Sequence, residues 1–198
     1  KALLHVAKVI NEADEMSHHG VSFGKPNLDI DKIREFKSGV VGKLTKGLDG
    51  LAKQRKVEKI QGMAKFTSPY TIEIDTAEGK KVVRFKNAII ASGSHSFKVP
   101  GFPFDDPRVI DSTGALLLES VPEKMLVVGG GIIGLEMDEV YGTLGSKITV
   151  VELGDGLIPG ADRDVVKVLE NRIKKRYDAI LTKTKCAKVE AKVDGLWV

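Results

Sequence analysis

The sequence predicts an α/β protein, and changes of hydrophobic period along the chain support this fold class. Apolar residues recur at helical spacing through residues 1–56. From Val57 the period changes to two, which is typical of strands. Residues 124–152 then show strand, glycine turn, helix and strand, the pattern of parallel strands joined by a crossover helix.

The first two predicted elements are helices. Residues 1 to about 18 place their apolar side chains largely along one face, and Gly20 is expected to end that helix. A second helix is expected from about 29 to 56, with Asp29 as its cap. Interior glycines, among them Gly42, Gly47 and Gly50, argue against an unbroken helix there.

The middle of the chain predicts a small antiparallel meander. Three segments with alternating patterns, VEKIQGMAKF, TIEID and VVRFK, are separated by Pro69 and by Glu78-Gly79. Residues 87–91 form a short apolar run that predicts a buried strand, and Ser92-Gly93-Ser94 ends it. The proline-rich stretch 95–108 predicts a loop near a domain boundary.

Past the glycine turn, we expect a capped helix from about Asp162 to Tyr177. Short strands should follow around Ile180 and from Lys185 to Lys192. The C-terminal DGLWV has the pattern of the second strand of a hairpin. Because Lys1 opens directly into helical periodicity without an initiator Met, we expect further chain at both ends.

Composition is that of a globular protein, with 42% hydrophobic and 29% charged residues. No apolar run approaches the roughly 18 residues of a membrane helix, so we expect no membrane span. The formal charge of +4 arises from 31 basic and 27 acidic residues that are interspersed. This distribution argues against a nucleic-acid interface, which needs a basic stripe or patch.

A single cysteine, Cys186, restricts the chemistry further. It excludes a disulfide within the chain and any multi-cysteine metal site, and it fits a reducing compartment, so we expect a cytoplasmic protein without a metal. The histidines show no ligand spacing with Cys186, and none is assigned a catalytic role: His5, His18, His19 and His95.

The glycine turn has the sequence GGGIIG and matches the dinucleotide-binding fingerprint G-x-G-x-x-G, between a strand and a helix. Gly129 permits the tight turn, Gly131 lets a pyrophosphate approach the backbone, and Gly134 permits close helix–strand packing. The following helix offers free N–H groups and partial positive charge to phosphates.

Glu152 ends the next strand, about 20 residues beyond the turn, where a carboxylate accepts hydrogen bonds from the ribose hydroxyls. The same carboxylate repels a 2′-phosphate, so NAD is favoured over NADP. Together these features predict a Rossmann-like βαβ unit. The alternative is a glycine turn with a solvated Glu152.

Residues well outside this unit resemble a known family. The segments VPEKMLVVGGGIIGLEM, TLGSKITVVELGDGLIPGADRDVVKVL, KALLHVAKVI and NAIIASGS resemble the dihydrolipoamide dehydrogenase family of flavoprotein pyridine nucleotide-disulfide oxidoreductases. The resemblance implies part of an FAD-binding domain with the antiparallel meander over residues 1–111, and part of an NAD-binding domain over 112–198. It also implies FAD-dependent oxidation of dihydrolipoamide with reduction of NAD.

The resemblance implies residues near the flavin. Lys1 matches the lysine that follows the family's redox-active cysteine pair, so it is expected beside the flavin ring. Ala64 is expected to approach the flavin adenine through its backbone, and Ser92-Gly93 matches the turn near the flavin nucleotide.

On the nicotinamide side, the resemblance implies that Glu136 lies by the nicotinamide and Glu152 holds the ribose. Cys186 falls where the family has a valine whose backbone borders the adenine; a small buried hydrophobe is the favoured interpretation of its side chain. The pyrophosphate is expected against Gly129, Gly130, Gly131, Ile132 and Ile133.

The family's cysteine pair and its His–Glu acid–base pair are expected outside this chain, so we expect no catalytic residue in it and no activity of the chain alone. The implied partners are dihydrolipoamide on a lipoyl domain of a 2-oxo acid dehydrogenase complex and a second copy in a homodimer. Two alternatives remain: another flavoprotein disulfide reductase, such as glutathione or mercuric reductase, and a non-catalytic nucleotide-binding module.

Asp138 departs most clearly from the family pattern, which has a small residue one helical turn beyond Gly134. We expect its carboxylate to point toward the crevice that Gly134 opens for strand and cofactor. There it is partly desolvated and repels a pyrophosphate. Asp138→Gly is therefore expected to tighten NAD binding and raise thermal stability.

Overall fold

The computed structural model describes all 198 residues, which form five α-helices and eight strands. The helices are α1 (Ala2–Glu15), α2 (Ile30–Gln54), α3 (Ser112–Leu117), α4 (Ile132–Leu144) and α5 (Arg163–Ile173). The strands are β1 (Met63–Ser68), β2 (Thr71–Thr76), β3 (Gly79–Arg84), β4 (Lys124–Val128), β5 (Lys147–Val151), β6 (Ala179–Leu181), β7 (Glu190–Lys192) and β8 (Gly195–Trp197).

The chain divides into two compact units. The larger unit comprises residues 1–38 and 96–198, and the smaller comprises residues 39–95. The boundary expected between residues 111 and 112 falls inside the larger unit and stays a prediction. None of the helices combines the length and the apolar character that crossing a bilayer requires.

Both N-terminal helices form as predicted. A 3-10 turn extends α1 to His19, and Gly20 ends it with a φ of +89°. Asp29 caps α2, because its Oδ1 accepts a hydrogen bond of 3.1 Å from the Lys32 N–H. The interior glycines do not interrupt α2, although none of its residues is buried within this chain.

The predicted meander is confirmed, since β1, β2 and β3 form an antiparallel sheet in sequence order. Its first strand begins at Met63 rather than at Val57. The reason lies in the ladder: β1 pairs only with the six-residue β2, and the register from Met63 opposite Asp75 already uses that strand almost to its end.

The buried strand expected at residues 87–91 is absent. This segment has no regular structure, and Ile89 and Ile90 are 94% and 75% exposed. An apolar run forms a buried strand only where neighbouring strands accept its backbone hydrogen bonds. No strand of the chain pairs with this segment.

The predicted βαβ unit is confirmed as a parallel sheet of order β4-β5-β6. The core of the larger unit forms around this sheet and α4. Ile148 and Val150 of β5 are completely buried, as are Leu118 and Leu157 from the flanking loops. Helix α1 packs against α4, and the helix α3, which the sequence did not reveal, is fixed to α4 by a Tyr141 hydroxyl that donates to the Ala115 carbonyl at 2.8 Å.

Two predicted ends near the C-terminus were wrong. Helix α5 stops at Ile173, four residues before Tyr177, and Asp162 occupies its N-cap position without a side-chain hydrogen bond. Of the strand expected over residues 185–192, only Glu190–Lys192 forms, and it pairs with β8. The predicted strand around Ile180 and the C-terminal hairpin are present as β6 and β7-β8.

Candidate nicotinamide-dinucleotide site

The glycine turn between β4 and α4 takes the geometry that its sequence predicts. Gly129 has a φ of +112°, a left-handed conformation that favours glycine, and its N–H donates to the Val151 carbonyl at 2.8 Å. A Cβ on residue 134 would lie 2.7 Å from the Gly129 carbonyl oxygen and 3.1 Å from Val127 Cγ1. Only glycine at 134 therefore lets α4 approach the turn and β4 this closely.

The N-terminus of α4 is open to a ligand. Gly131 is its N-cap residue, and no side chain accepts a hydrogen bond from the first turn. The N–H groups of Ile132, Ile133 and Gly134 have no partner within the helix, because they lie in its first turn. A Cβ on Gly131 would meet nothing within 4 Å. Aligned, unpartnered N–H groups beside open space are the features that bind phosphate at helix N-termini.

Glu152 directly follows β5, and its carboxylate joins the glycine turn to the loop after β5. Its Oε2 accepts from the Gly130 N–H at 2.7 Å, and its Oε1 accepts from the Gly154 N–H at 2.6 Å. Each carboxylate oxygen retains a lone pair after these bonds. The side chain is half-buried, so it remains accessible to ribose hydroxyls while it positions the turn.

Glu136 lies one helical turn beyond Ile132 and forms an ion pair with Lys1. The structure thus brings together the two residues expected at the flavin–nicotinamide end of the site. An apolar groove runs beside Glu136 between α1, α4 and α5, lined by Leu4, Ile132, Leu135, Ile158, Leu169 and Ile173.

The remaining expected cofactor contacts are Ala64, Ser92, Gly93 and Cys186. Ala64 is exposed on β1, and Ser92 and Gly93 are exposed in an irregular segment, with no hydrogen bond between them and Ala64. Cys186 is half-buried rather than fully buried, and its Sγ lies 3.8 Å from the Lys188 carbonyl oxygen. It borders a groove on β4, β5 and β6 with Leu126, Val151 and Leu181.

Asp138 is completely buried, and neither carboxylate oxygen has a hydrogen-bond partner. Burial raises the pKa of this carboxyl from 3.8 to about 7. Burial raises the pKa of Tyr177 as well, and the Asp138 carboxylate raises it further. The expected desolvation is therefore present, and the Tyr177 hydroxyl is likewise buried without a hydrogen-bond partner.

Sequence reasoning missed the loop at residues 153–162. The Ile158 N–H donates to the Gly130 carbonyl at 2.9 Å, and Leu157 packs on Gly130 so closely that a Cβ there would lie 2.4 Å from Leu157 Cδ2. Arg163 donates to three carbonyls of this loop. The Pro159-Gly160 pair indicated a turn but gave no sign of these contacts.

A polar cluster joining three elements was missed as well. Arg176 Nη1 donates to both oxygens of Glu139 at 2.9 Å, and its Nη2 donates to Thr143 Oγ1 at 2.8 Å. Asn11 of α1 donates to Glu139 at 2.7 Å. The i, i+4 spacing of residues 139 and 143 was visible in the sequence, but the distant partners were not.

Comparison with known proteins agrees with this architecture. The dihydrolipoyl dehydrogenase of Vibrio cholerae is 57% identical over 198 residues, and that of Haemophilus influenzae is 49% identical over 199 residues. Each alignment covers 100% of this chain but only 42% and 41% of those proteins. The chain thus spans about two fifths of the length of these curated relatives.

Solved structures show the same fold. LpdA from Mycobacterium tuberculosis superposes with a TM-score of 0.81 at 20% identity, covering 99% of this chain and 43% of that chain. The HOCl-induced flavoprotein disulfide reductase RclA from Escherichia coli gives a TM-score of 0.78 at 23% identity, covering 99% and 41%. The family model described as pyridine nucleotide-disulphide oxidoreductase matches residues 1–196. With its glycine turn, its parallel sheet and this match along nearly its whole length, the chain belongs to the pyridine nucleotide-disulphide oxidoreductase family.

Proposed function

We propose that this chain forms part of an FAD-dependent enzyme that oxidises dihydrolipoamide to lipoamide and reduces NAD⁺ to NADH. The observation that carries the proposal is the open N-terminus of α4 with Glu152 beside it, a geometry suited to a dinucleotide. The names of relatives 49–57% identical to the chain supply the substrate.

The residues of the chain bind and orient the nicotinamide dinucleotide. The N–H groups following Gly131 hold the pyrophosphate, and the Glu152 carboxylate accepts hydrogen bonds from the adenosine ribose. Gly129 and Gly130 shape the turn, because their own N–H groups are already bonded to Val151 and Glu152. When bound, the flavin and the nicotinamide supply the redox chemistry, and the protein supplies their placement.

The flavin side of the proposal rests on family membership. We assign residues 1–111 to part of an FAD-binding domain and residues 112–198 to part of an NAD-binding domain. Lys1, Ala64, Ser92 and Gly93 are then flavin contacts, while Glu136 and Cys186 border the nicotinamide and adenine. No catalytic step is assigned to these residues.

The partner and the location proposed for the complete enzyme are inferred from the resemblance to the dihydrolipoamide dehydrogenase family. The partner is a lipoyl domain of a 2-oxo acid dehydrogenase complex, the complete enzyme is a homodimer, and its location is the cytoplasm. No nucleic acid takes part in this reaction.

The test is turnover by the full-length protein that contains this region. Purified protein should reduce NAD⁺ in the presence of dihydrolipoamide, and NADP⁺ should be a much poorer acceptor. Reduction of glutathione disulfide with NADPH would instead identify another disulfide reductase. Binding of NAD⁺ without turnover of either substrate would identify a non-catalytic nucleotide-binding module.

A further inference from the structure

The loop at residues 153–162 packs against the glycine turn and contacts Gly130, the residue between Gly129 and Gly131. Gly130 donates its N–H to Glu152, accepts from the Ile158 N–H at 2.9 Å, and packs against the completely buried Leu157. The position of Gly130 thus depends on where the loop places residues 157 and 158. Gly131, where a Cβ would meet only open space, follows directly.

The backbone of this loop is strained at the point where it meets the turn. Ile158 has a φ of +47°, a left-handed conformation that is costly for a β-branched residue. Such a conformation persists only when surrounding contacts fix it. Besides the hydrogen bond and the packing of Leu157 on Gly130, two backbone hydrogen bonds hold the loop, from the Ala161 N–H to the Ile158 carbonyl at 3.2 Å and from the Lys183 N–H to the Gly154 carbonyl at 2.9 Å. Side-chain donors add to them.

Arg163, at the start of α5, is a side chain that donates to three carbonyls of this loop. Its Nη2 lies 2.8 Å from the Leu157 carbonyl oxygen, 2.8 Å from that of Ile158 and 3.1 Å from that of Ala161. Its Nε lies 3.2 Å from the same Ala161 oxygen. A planar guanidinium presents these donors in a fixed arrangement that an ammonium group does not reproduce.

We propose that Arg163 is a positioning residue for the nicotinamide dinucleotide, acting through the loop at 153–162 on Gly130 and the pyrophosphate-facing turn. Arg163 does not touch the dinucleotide. It holds the strained loop so that Leu157 and Ile158 keep Gly130 in the binding geometry before the ligand arrives. Preorganisation of this kind raises affinity, because the ligand does not have to order the turn. The inference rests on the proposed NAD⁺ binding.

The test measures NAD⁺ affinity of the oxidised full-length holoenzyme by isothermal titration calorimetry. Arg163→Met keeps the aliphatic stem and removes the donors; it should raise the Kd for NAD⁺ about tenfold, which corresponds to about 1.4 kcal/mol. Arg163→Lys, with one compact donor group, should recover part of that loss. The KM for NAD⁺ should rise in turnover assays while kcat stays near the wild-type value, because only binding is affected.

Lys167→Met is the matched control, since Lys167 lies one turn further along α5, is exposed and forms no side-chain hydrogen bond or ion pair. It should leave the Kd unchanged. Unchanged NAD⁺ affinity in Arg163→Met, whatever its melting temperature, would overturn the inference. Should that variant fail to fold, wild-type affinity in Arg163→Lys overturns it equally. Absence of NAD⁺ binding in the wild type would refute the proposed function instead.

Discussion

Asp138 is an ionisable residue in an environment that disfavours its charge. It lies in the middle of α4, fully buried, with no hydrogen-bond donor at either oxygen. The unfolded chain ionises this group near pH 3.8, whereas the folded chain keeps it protonated up to a pKa of about 7. Above pH 7 the ionised form therefore weakens folding by roughly 4 kcal/mol, at about 1.4 kcal/mol per pKa unit.

We predict that replacing Asp138 stabilises the protein most at alkaline pH. The native state binds the proton more tightly, so wild-type stability falls between about pH 4 and pH 7 and then levels off. Asp138→Asn removes the charge, and its gain in melting temperature over the wild type should widen from pH 5 to pH 8 in thermal scans. Asp138→Gly should also melt at a higher temperature than the wild type. The roughly 1 kcal/mol cost of a helical glycine is smaller than the cost of the buried carboxylate that the substitution removes.

The control for Asp138 is Asp14→Asn on α1, where the carboxylate is exposed and unpaired. That variant should change melting temperature equally at both pH values. A constant difference between Asp138→Asn and the wild type across the same range would show that residue 138 is solvated or paired. Calorimetric titration with NAD⁺ checks the separate prediction that Asp138→Gly binds NAD⁺ more tightly.

The structure shows contacts of Glu152 beyond the ribose contact that the sequence predicts. The sequence predicted a carboxylate for the ribose, and the structure adds its bonds to the N–H groups of Gly130 and Gly154. We predict that Glu152→Gln lowers NAD⁺ affinity by about tenfold, since an amide accepts at only one of its two ends. The ratio of kcat/KM for NAD⁺ to that for NADP⁺ should fall at the same time.

Steady-state kinetics of the full-length enzyme with both nucleotides provide the measurement for Glu152. Asp155→Asn serves as control, because that side chain is 93% exposed and three residues away. An unchanged ratio of kcat/KM for NAD⁺ and NADP⁺ in Glu152→Gln would mean that another residue reads the ribose.

Individual site residues divide into those visible in the sequence and those that are not. The turn geometry of Gly129 and Gly134 was predictable because a fixed spacing expresses what the turn requires, whereas the ribose contact of Glu152 stays a prediction. Arg163 and Ile158 make their contacts with backbone atoms. Every residue type has these atoms, so the sequence does not mark the contacts. Their roles depend on where the loop folds, and no local pattern encodes that.

At the scale of elements, the polar cluster of Arg176, Glu139, Asn11 and Thr143 joins α1, α4 and the segment after α5. We predict a coupling free energy of about 1 kcal/mol between Arg176 and Glu139, above the usual value for exposed pairs, because Nη1 contacts both carboxylate oxygens and only about a quarter of each side chain is exposed. A double-mutant cycle with Arg176→Met and Glu139→Gln measures it.

The Lys8–Glu12 pair on α1 is the comparison for this cycle. Its atoms are 3.5 Å apart and both side chains are more than half exposed, so its coupling should be at most a few tenths of a kcal/mol. Equal coupling energies in the two cycles would mean that the cluster adds nothing beyond an ordinary surface pair.

Elements were predictable where their periodicity and their partners both lie within the chain. The helices α1 and α4 and the strands β4 and β5 satisfy that condition, since each packs against another of these elements. Residues 87–91 do not: the apolar pattern is present, but no neighbouring strand accepts it. The short α3 was missed for a different reason, because six residues are too few to show a period.

At the scale of the whole molecule, the two units differ in how much core they contain. The sheet and helices of the larger unit enclose nearly all of the buried apolar side chains. The unit formed by residues 39–95 buries a single hydrophobic residue, Ile74. Hydrogen bonding of three short strands without a core gives little stability on its own.

We therefore predict that, in purified residues 1–198, the strands β1–β3 lose amide protection far sooner than β4 and β5. Hydrogen exchange followed by mass spectrometry measures this directly. Backbone amides of Ile148 and Val150, both completely buried, provide the slow reference. Equal protection of both sheets would show that the meander is stabilised by contacts other than an internal core.

Residues 1–198 hold too few cysteines to oxidise dihydrolipoamide on their own. Oxidation of dihydrolipoamide by thiol–disulfide exchange transfers two electrons to a protein disulfide, which requires two cysteines. The chain contains one, Cys186, so it holds no internal disulfide that the substrate could reduce. The NAD⁺ binding proposed at α4 would not replace that step, because a nicotinamide site positions the acceptor and does not exchange thiols.

Purified residues 1–198 should accordingly show no dihydrolipoamide-dependent NAD⁺ reduction above a control without protein, while the full-length enzyme turns over under the same conditions. Intact mass spectrometry must establish that the preparation contains only this chain, since traces of full-length enzyme would give a signal. Turnover that scales with the concentration of the verified chain would refute the prediction. It would mean that electrons reach NAD⁺ by a route that does not use a cysteine pair, and the exchange mechanism would then have to be abandoned for this region.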